Sequence, residues 1–523
     1  MNGRRGFLKR AGAGLAAAGL TSQGIARAAD APGVFDVKAA GAAGDGATVD
    51  TPAINKAIDA AAAVGGGTVR FPAGSYLCYS IHLKNNVVLY LDQGAKIVAA
   101  DTPAGGTGGY DAAEPNQWKD YQDFGHSHWH NSLIWGEGVE NVSILGPGLI
   151  WGRGLSRGSG PGPRAEDPGV GNKAIALKNC HNVTLRDFSI LHAGHFGILA
   201  TGADNFTIDN LKIDTNRDGI DIDCCRNVRV SNCLVNSPWD DGICLKSSYG
   251  LGSAKPTEFV TITNCYVTGA FQEGTVLDAT YKPFDPGVRV SHTGRIKFGT
   301  ESNGGFRNIT ISNCVFEACQ GLALETVDGA LLEDVTVTNI SMRDIVNVPI
   351  FLRLGSRMRG PADTPVGRLR RVIISNIVCS NSASRASCIL SGIPGHYIEN
   401  VKLSNILIEH RGGGTAADAA IQPPEMENRY PEPTMFGAMP SHGFYIRHVK
   451  DIEMSNVEVV AMKDDARAAF VLDDVRGADF EHIKTPAFKD IPTFVLNNVE
   501  DFNLHQCKTA PDTRIEKTGH TQI

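Results

Sequence analysis

Aromatic residues make up only 7% of the 523-residue chain, and acidic and basic groups nearly cancel, leaving a formal charge of −7. So mild a balance gives no support for nucleic acid as a partner, and an acidic ligand would need a local basic pocket. The 12 cysteines include no C-x-x-C pair, so a zinc knuckle has no foothold and no metal or other cofactor is expected. The apolar run near the N-terminus is too short to cross a bilayer, and no membrane span is expected in the mature protein. What the sequence has in quantity is glycine, 59 residues, which points to many tight turns rather than many helices.

The N-terminus, GRRGFLKRAGAGLAAAGL followed by IARAAD, pairs Arg4 with Arg5 and ends at small residues Ala26 and Ala28. It resembles a twin-arginine export signal over residues 1–28, which implies a periplasmic or secreted protein that folds before export. The cysteines would then meet a reducing cytoplasm first. Several recur in one setting, at Cys180, Cys233, Cys265 and Cys314, and are read as small core residues stacked coil on coil rather than disulfides.

That setting is part of a repeat. ENVSILG at 140, HNVTLRD at 181, DNFTIDN at 204, RNVRVSN at 226, RNITISN at 307, EDVTVTN at 333 and ENVKLSN at 399 restate one phrase, about 22 to 32 residues apart where the spacing is tight. Apolar and polar residues alternate within each copy, so each is a short half-buried strand closed by an Asn-containing turn. Stacked copies predict an all-β fold, a right-handed parallel β-helix, as one domain over 33–510 with a tail at 511–523. The stretch DTPAINKAIDAAAAVGGG predicts a capping helix, with Thr51 as N-cap, Pro52 at the first helical position and Gly65 to Gly67 as the stop.

Against this scaffold the stretch DTNRDGIDID stands out, with four aspartates in ten residues. About one coil later comes the pair Asp240-Asp241. Stacking would bring Asp218 within about 5 Å of the pair along the axis, and Pro238 with Gly242 could bend the strand so that both acids reach one groove. Acids held so close cannot all ionise easily, and one is pushed to a raised pKa. A protonated acid beside ionised ones is what glycosidic cleavage requires. Asp214, Asp221 and Asp223 are explained by a polar ladder at the turns.

The chain resembles the polygalacturonase-like glycoside hydrolases of family 28, through FDVKAAGAAGDGATVDTPAINKAIDAA, GGGTVRFPAGSYL, LIWGEGVENVSILGPGLIWGRG, NRDGIDI and WDDGICLKSS in that order. The resemblance implies a pectic poly- or oligosaccharide substrate, of galacturonan or rhamnogalacturonan type, and a protein expected to act as a monomer. It implies Asp241 as general acid, with Asp218 and Asp240 orienting and deprotonating the water. The family's Gly-His-Gly is missing from its usual context, leaving His292 as an approximate stand-in. Its Arg-Ile-Lys is matched either by Arg295-Ile296-Lys297 or, in the register preferred here, by Ala323 and Glu325, with Arg295 and Lys297 one coil early.

The family's Arg and Lys hold a galacturonate carboxylate, so in that register a neutral sugar could occupy one side of the scissile bond. Lys297 is open to an alternative, an ion pair with the stacked Glu325. Lys246, Glu301 and His195 complete the substrate-side candidates, together with His292, Arg295, Lys297 and Glu325. Two Pro-rich insertions, YKPFDPGVRVSH and IQPPEMENRYPEPTMFG, are expected to wall one end of the groove, with Tyr430 or Phe436 as sugar platforms and attack at chain ends. His126, His128 and His130 alternate as on a strand, and Trp129, Trp135, Trp151 and Trp239 divide between core packing and sugar stacking. A β-helix lyase or epimerase, and a non-catalytic glycan-binding solenoid, are the competing classes.

Overall fold

The computed structural model describes residues 33–158, 162–285, 287–383 and 387–523; the segment read as an export signal lies outside them. Strands from Val34 onward build one 34-stranded sheet, in which all but the last pair in parallel with the strand a full turn of chain further on, and a separate two-stranded antiparallel ribbon pairs Phe271–Glu273 with Lys282–Pro283. The fold is a parallel β-helix. The repeated phrase supplies successive rungs: Val142, Val183, Phe206, Val228, Val260 and Ile309 pair in register and all are buried.

Asparagine closes these rungs because it tolerates the left-handed backbone that the corners need. Asn141, Asn182, Asn205 and Asn227 have φ of 57°, 55°, 54° and 59°. Each side-chain amide donates to the Asn of the preceding coil at 3.0 Å, from Asn182 to Asn141, Asn205 to Asn182 and Asn227 to Asn205. The cysteines are free and, Cys507 apart, buried. The four that recur in one setting divide between two columns rather than one. Cys233, Cys265 and Cys314 stack through backbone bonds from Tyr266 to Cys233 and from Val315 to Cys265, whereas Cys180 stands over a separate column in which Ala203 donates to the Cys225 sulfur.

Helix α1 (Thr51–Ala63) caps the first coil with Ile54, Ala57, Ile58 and Ala61. Its N-cap is Asp50, not Thr51. The Asp50 carboxylate is occupied by the amides of Ala43 and Gly44, and the Thr51 hydroxyl accepts from the Tyr79 amide, so both side chains tie the helix start to neighbouring chain instead of capping it. At the other end, 511–523 does not trail free: Thr513–Gln522 pairs antiparallel with Phe494–His505 and covers the last rung. No helix among the described residues is long and apolar enough to cross a membrane.

Six consecutive rungs position the candidate site: β1 (Phe196–Thr201), β2 (Asp218–Asp223), β3 (Ile243–Ser247), β4 (Ile296–Ser302), β5 (Leu322–Thr326) and β6 (Ile350–Leu354). Ile198, Ile220, Ile243 and Ile296 stack inward, while Leu199, Asp221, Cys244, Lys297 and Ala323 form the outward column. A glycine column runs beside the acids. A Cβ on Gly197 would lie 2.4 Å from the Gly219 carbonyl oxygen, and one on Gly219 would lie 2.4 Å from that of Gly242. A side chain at either position would therefore strike the next rung beside Asp218 and Asp241. Replacing Gly219 by Ala should lower stability by about 1–3 kcal/mol through overpacking. Urea unfolding of the variant checks this, and an unchanged midpoint would show that the rungs have slack.

Candidate active site

Asp218 opens β2, and the Gly219 amide just after it donates to the Asp241 carbonyl at 3.0 Å, so the acids do come from consecutive rungs. Asp240 and Asp241 sit in the turn before β3. Ser237 holds that turn by donating to the Arg217 and Asp240 carbonyls, while the Gly294 amide also donates to the Asp240 carbonyl at 2.9 Å. The two carboxyl groups then diverge. Asp240 faces the rung below, where an oxygen of it, an oxygen of Asp218 and a ring nitrogen of His195 lie within 4.8 Å of one another. Asp241 faces the rung above, where Arg295 Nε donates to Oδ1 at 2.9 Å and Lys297 Nζ lies 3.6 Å from Oδ2.

This divergence sets the protonation states. Asp218 is buried, and burial, then repulsion from Asp240 and Asp221, raises its pKa well above the ordinary carboxylate value. His195 Nε2 is 3.6 Å from it, and burial together with Arg217 and His126 holds the imidazole neutral. Burial pushes Asp241 upward too, but Lys297, Arg295 and Lys246 outweigh it and bring its pKa below the ordinary value. Asp240 is clasped by Arg217, whose Nη2 donates to Oδ2 at 2.8 Å. The resting proton therefore belongs to Asp218, and Asp241, expected as the acid, is held ionised. The reason is the pair of cations one rung above it.

Cys244 pairs with Lys297 and Lys297 with Ala323, so Arg295 and Lys297 follow the Asp pair directly and Ala323 and Glu325 come one rung later. Lys297 Nζ lies 3.7 Å from Glu325, whose carboxyl is buried on β5 with no hydrogen-bond partner. Burial, partly offset by Lys297 and Arg295, raises its pKa to about 8. A residue that sequence reasoning missed completes this cluster. Glu432 of the second insertion forks onto Arg295, bonding Nη1 and Nη2, and lies 3.6 Å from Lys297.

A second buried network adjoins Asp218. His126 Nε2 is 3.4 Å from Asp221, Lys246 Nζ is 3.7 Å from Asp221 and 3.5 Å from Glu301. Lys246 and Glu301, expected to bind substrate, are thus mutual counter-charges below the surface. Donor atoms of His126, Asp218 and Asp221 lie within 4.8 Å of one another, as do those of Asp123, His126 and Glu301, spacings that a cation could bridge. Lys246 beside Asp221 and Arg217 beside Asp240 already supply positive charge there.

The histidine run does not share a face. His126 belongs to a short 3-10 turn, Phe124–Ser127, and points to Asp221, His128 stacks on Phe124, and His130 stacks on Trp135 and pairs with Glu137. His292 bonds the Gly269 carbonyl and packs edge-on against Phe284. It belongs to the wall, and the histidines nearest the acids are His195 and His126. Among the tryptophans, Trp129 is buried and donates to Thr201, and Trp135 donates to Asp111, while Trp239, next to Asp240, is 37% exposed. Phe436 is not a platform, since it is buried against Phe351 and the Arg353 and Arg447 guanidinium groups. Tyr430 is 51% exposed, with its ring 5.2 Å from Lys297 Nζ.

With this geometry in view, the chain was compared with known proteins. A family model described as right handed beta helix region matches residues 173–358, and one described as rhamnogalacturonase A/epimerase, pectate lyase-like, matches residues 34–144. Over 400 residues the chain is 23% identical to a protein of Vitis vinifera named "Probable polygalacturonase", covering 70% of this chain and 72% of that protein. A match to mannuronan C5-epimerase AlgE3 of Azotobacter vinelandii is 50% identical but spans 68 residues, 13% of this chain and 4% of that protein. The hyperthermoactive exopolygalacturonase from Thermotoga maritima superimposes with a TM-score of 0.60 at 17% identity, covering 82% of this chain and 91% of that one. The family 28 exopolygalacturonase of Yersinia enterocolitica does so with 0.56 at 18% identity, covering 90% and 78%. The chain has the right-handed β-helix fold of the polygalacturonases.

Glu325 gives a test of the buried electrostatics. Between pH 4.5, its ordinary value, and about 8 the unfolded chain releases this proton while the folded chain keeps it. Stability from this group is therefore full below that window and falls as pH rises through it. Glu325→Gln should flatten the fall in melting temperature between pH 5 and pH 8. An unchanged slope would mean that Glu325 ionises normally.

Proposed function

We propose that the protein is a glycoside hydrolase that cleaves O-glycosidic bonds of pectic poly- or oligosaccharides, at chain ends and with inversion of the anomeric centre. The observation that carries this reading is the gathering of Asp218, Asp240 and Asp241 from two consecutive rungs with unlike protonation. Likeness of fold to exopolygalacturonases supports the substrate class, and Tyr430 and Glu432, brought over β4 by the second insertion, support action at a chain end.

The chemistry follows from the charges. The proton held by Asp218 is relayed through Asp240, the more exposed of the two, to the leaving glycosidic oxygen, and Asp218 is reprotonated from solvent after turnover. Asp241, ionised against Arg295 and Lys297, takes a proton from a water that attacks the anomeric carbon from the opposite side. The carbon–oxygen bond to the leaving sugar breaks, that sugar departs as an alcohol, and Asp241 returns the water's proton to solvent. The acid and base roles are thus exchanged relative to the sequence expectation, because a carboxylate beside two cations is a poor proton donor.

Asp240→Asn and Asp241→Asn should each lower turnover of pectic fragments by roughly 10²–10⁴-fold, the scale of general acid–base catalysis, with the fold intact by circular dichroism. Proton NMR of the native reaction should show the newly formed anomer inverted. Products that absorb in the ultraviolet would instead signal a lyase, and undiminished activity in either variant would remove the acids from the mechanism.

A further inference from the structure

Arg295 is 1% exposed and each nitrogen of its guanidinium is already bonded to one of this chain's own carboxylates: Nε to Asp241, Nη1 and Nη2 to Glu432. Lys297, equally buried, is shared among Asp241 at 3.6 Å, Glu432 at 3.6 Å and Glu325 at 3.7 Å, with the Tyr430 hydroxyl at 3.4 Å. Two cations thus face two carboxylates, and Glu325 is available as a third. An arriving sugar carboxylate finds both cations already facing this chain's own carboxylates. Its negative charge would meet Glu432, whose side chain is 26% exposed, before it reached either cation.

What the surface does offer is an acceptor beside an aromatic face. We infer that the subsite next to Asp241 binds a neutral sugar, with ring hydroxyls donating to the Glu432 carboxylate and the apolar face of the sugar resting on Tyr430. A carboxylate accepts two hydroxyl donors as readily as two guanidinium donors, and a half-exposed tyrosine held in place by Lys297 and Arg357 is a rigid apolar plate. Glu432 is then the specificity-determining residue: it fills the place of a uronate carboxylate and repels one. The inference rests on the hydrolase reading for the identity of the reaction, but not for the identity of the sugar bound.

The test therefore has a binding arm and a product arm. Saturation-transfer NMR of the native protein with galactose, rhamnose and galacturonate should show contacts to the neutral sugars at least tenfold stronger than to the uronate. Glu432→Gln should narrow that preference at least tenfold, because Arg295 regains unpaired charge, and Tyr430→Ala should weaken neutral-sugar binding without favouring the uronate. In the product arm, mass analysis of digested pectic fragments should find neutral sugars at the new chain ends. A native protein that binds galacturonate as well as galactose, or a well-folded Glu432→Gln variant with unchanged preference, overturns the inference. Absence of any product with neutral-sugar binding intact would sink the hydrolase reading and leave the subsite standing.

Discussion

In-register stacking of successive rungs is the constraint on which everything else in this protein depends. Backbone bonds fix each strand about 4.8 Å above the last, so a side chain has its chemical neighbours a coil away rather than a residue away. Val142 through Ile309 use this to build a dry core, and the Asn corners use it to satisfy one another. The glycines at Gly197 and Gly219 lie where the next rung leaves no room for a side chain beside the acids. Carboxylates that would repel on one strand are instead sorted between the rung below and the rung above.

That sorting turns a crowd of charges into a division of labour. Asp240 is drawn toward Arg217 and Asp218, and Asp241 toward Arg295 and Lys297. Burial raises the pKa of a carboxyl without a close cation and fails to raise one that has two, so Asp218 and Asp241 part in opposite directions although both are almost inaccessible to solvent. The insertions finish the work from outside the rungs. His126 closes one flank of Asp218 through Asp221, and Glu432 closes the far side of Arg295.

Much of this was legible in the amino-acid order. The recurring strand phrase, the Asn turns and the spacing from Asp218 to Asp240 carry the β-helix and the meeting of the acids, because stacking converts sequence period directly into distance. What resisted reading came from residues distant in sequence. Glu432 lies in a Pro-rich insertion with no periodicity to place it, and without Glu432 the cations look free for a substrate. Asp241 as proton donor follows from motif order alone, and the contacts that argue for the opposite role, those of Arg295 and Lys297, lie outside that motif. His126 sat in a run whose alternation imitates a strand, while its backbone is a 3-10 turn. The helix start was misread by one residue because Asp50 and Thr51 both spend their oxygens on chain outside the helix.

The central claim is that Asp218 retains a proton while Asp241 remains ionised. Infrared difference spectroscopy of the native protein against Asp218→Asn at pH 6 addresses it most directly. The account predicts a protonated-carboxyl band in the native protein that the variant lacks. A difference spectrum containing only the ionised carboxylate bands of Asp218 would contradict it.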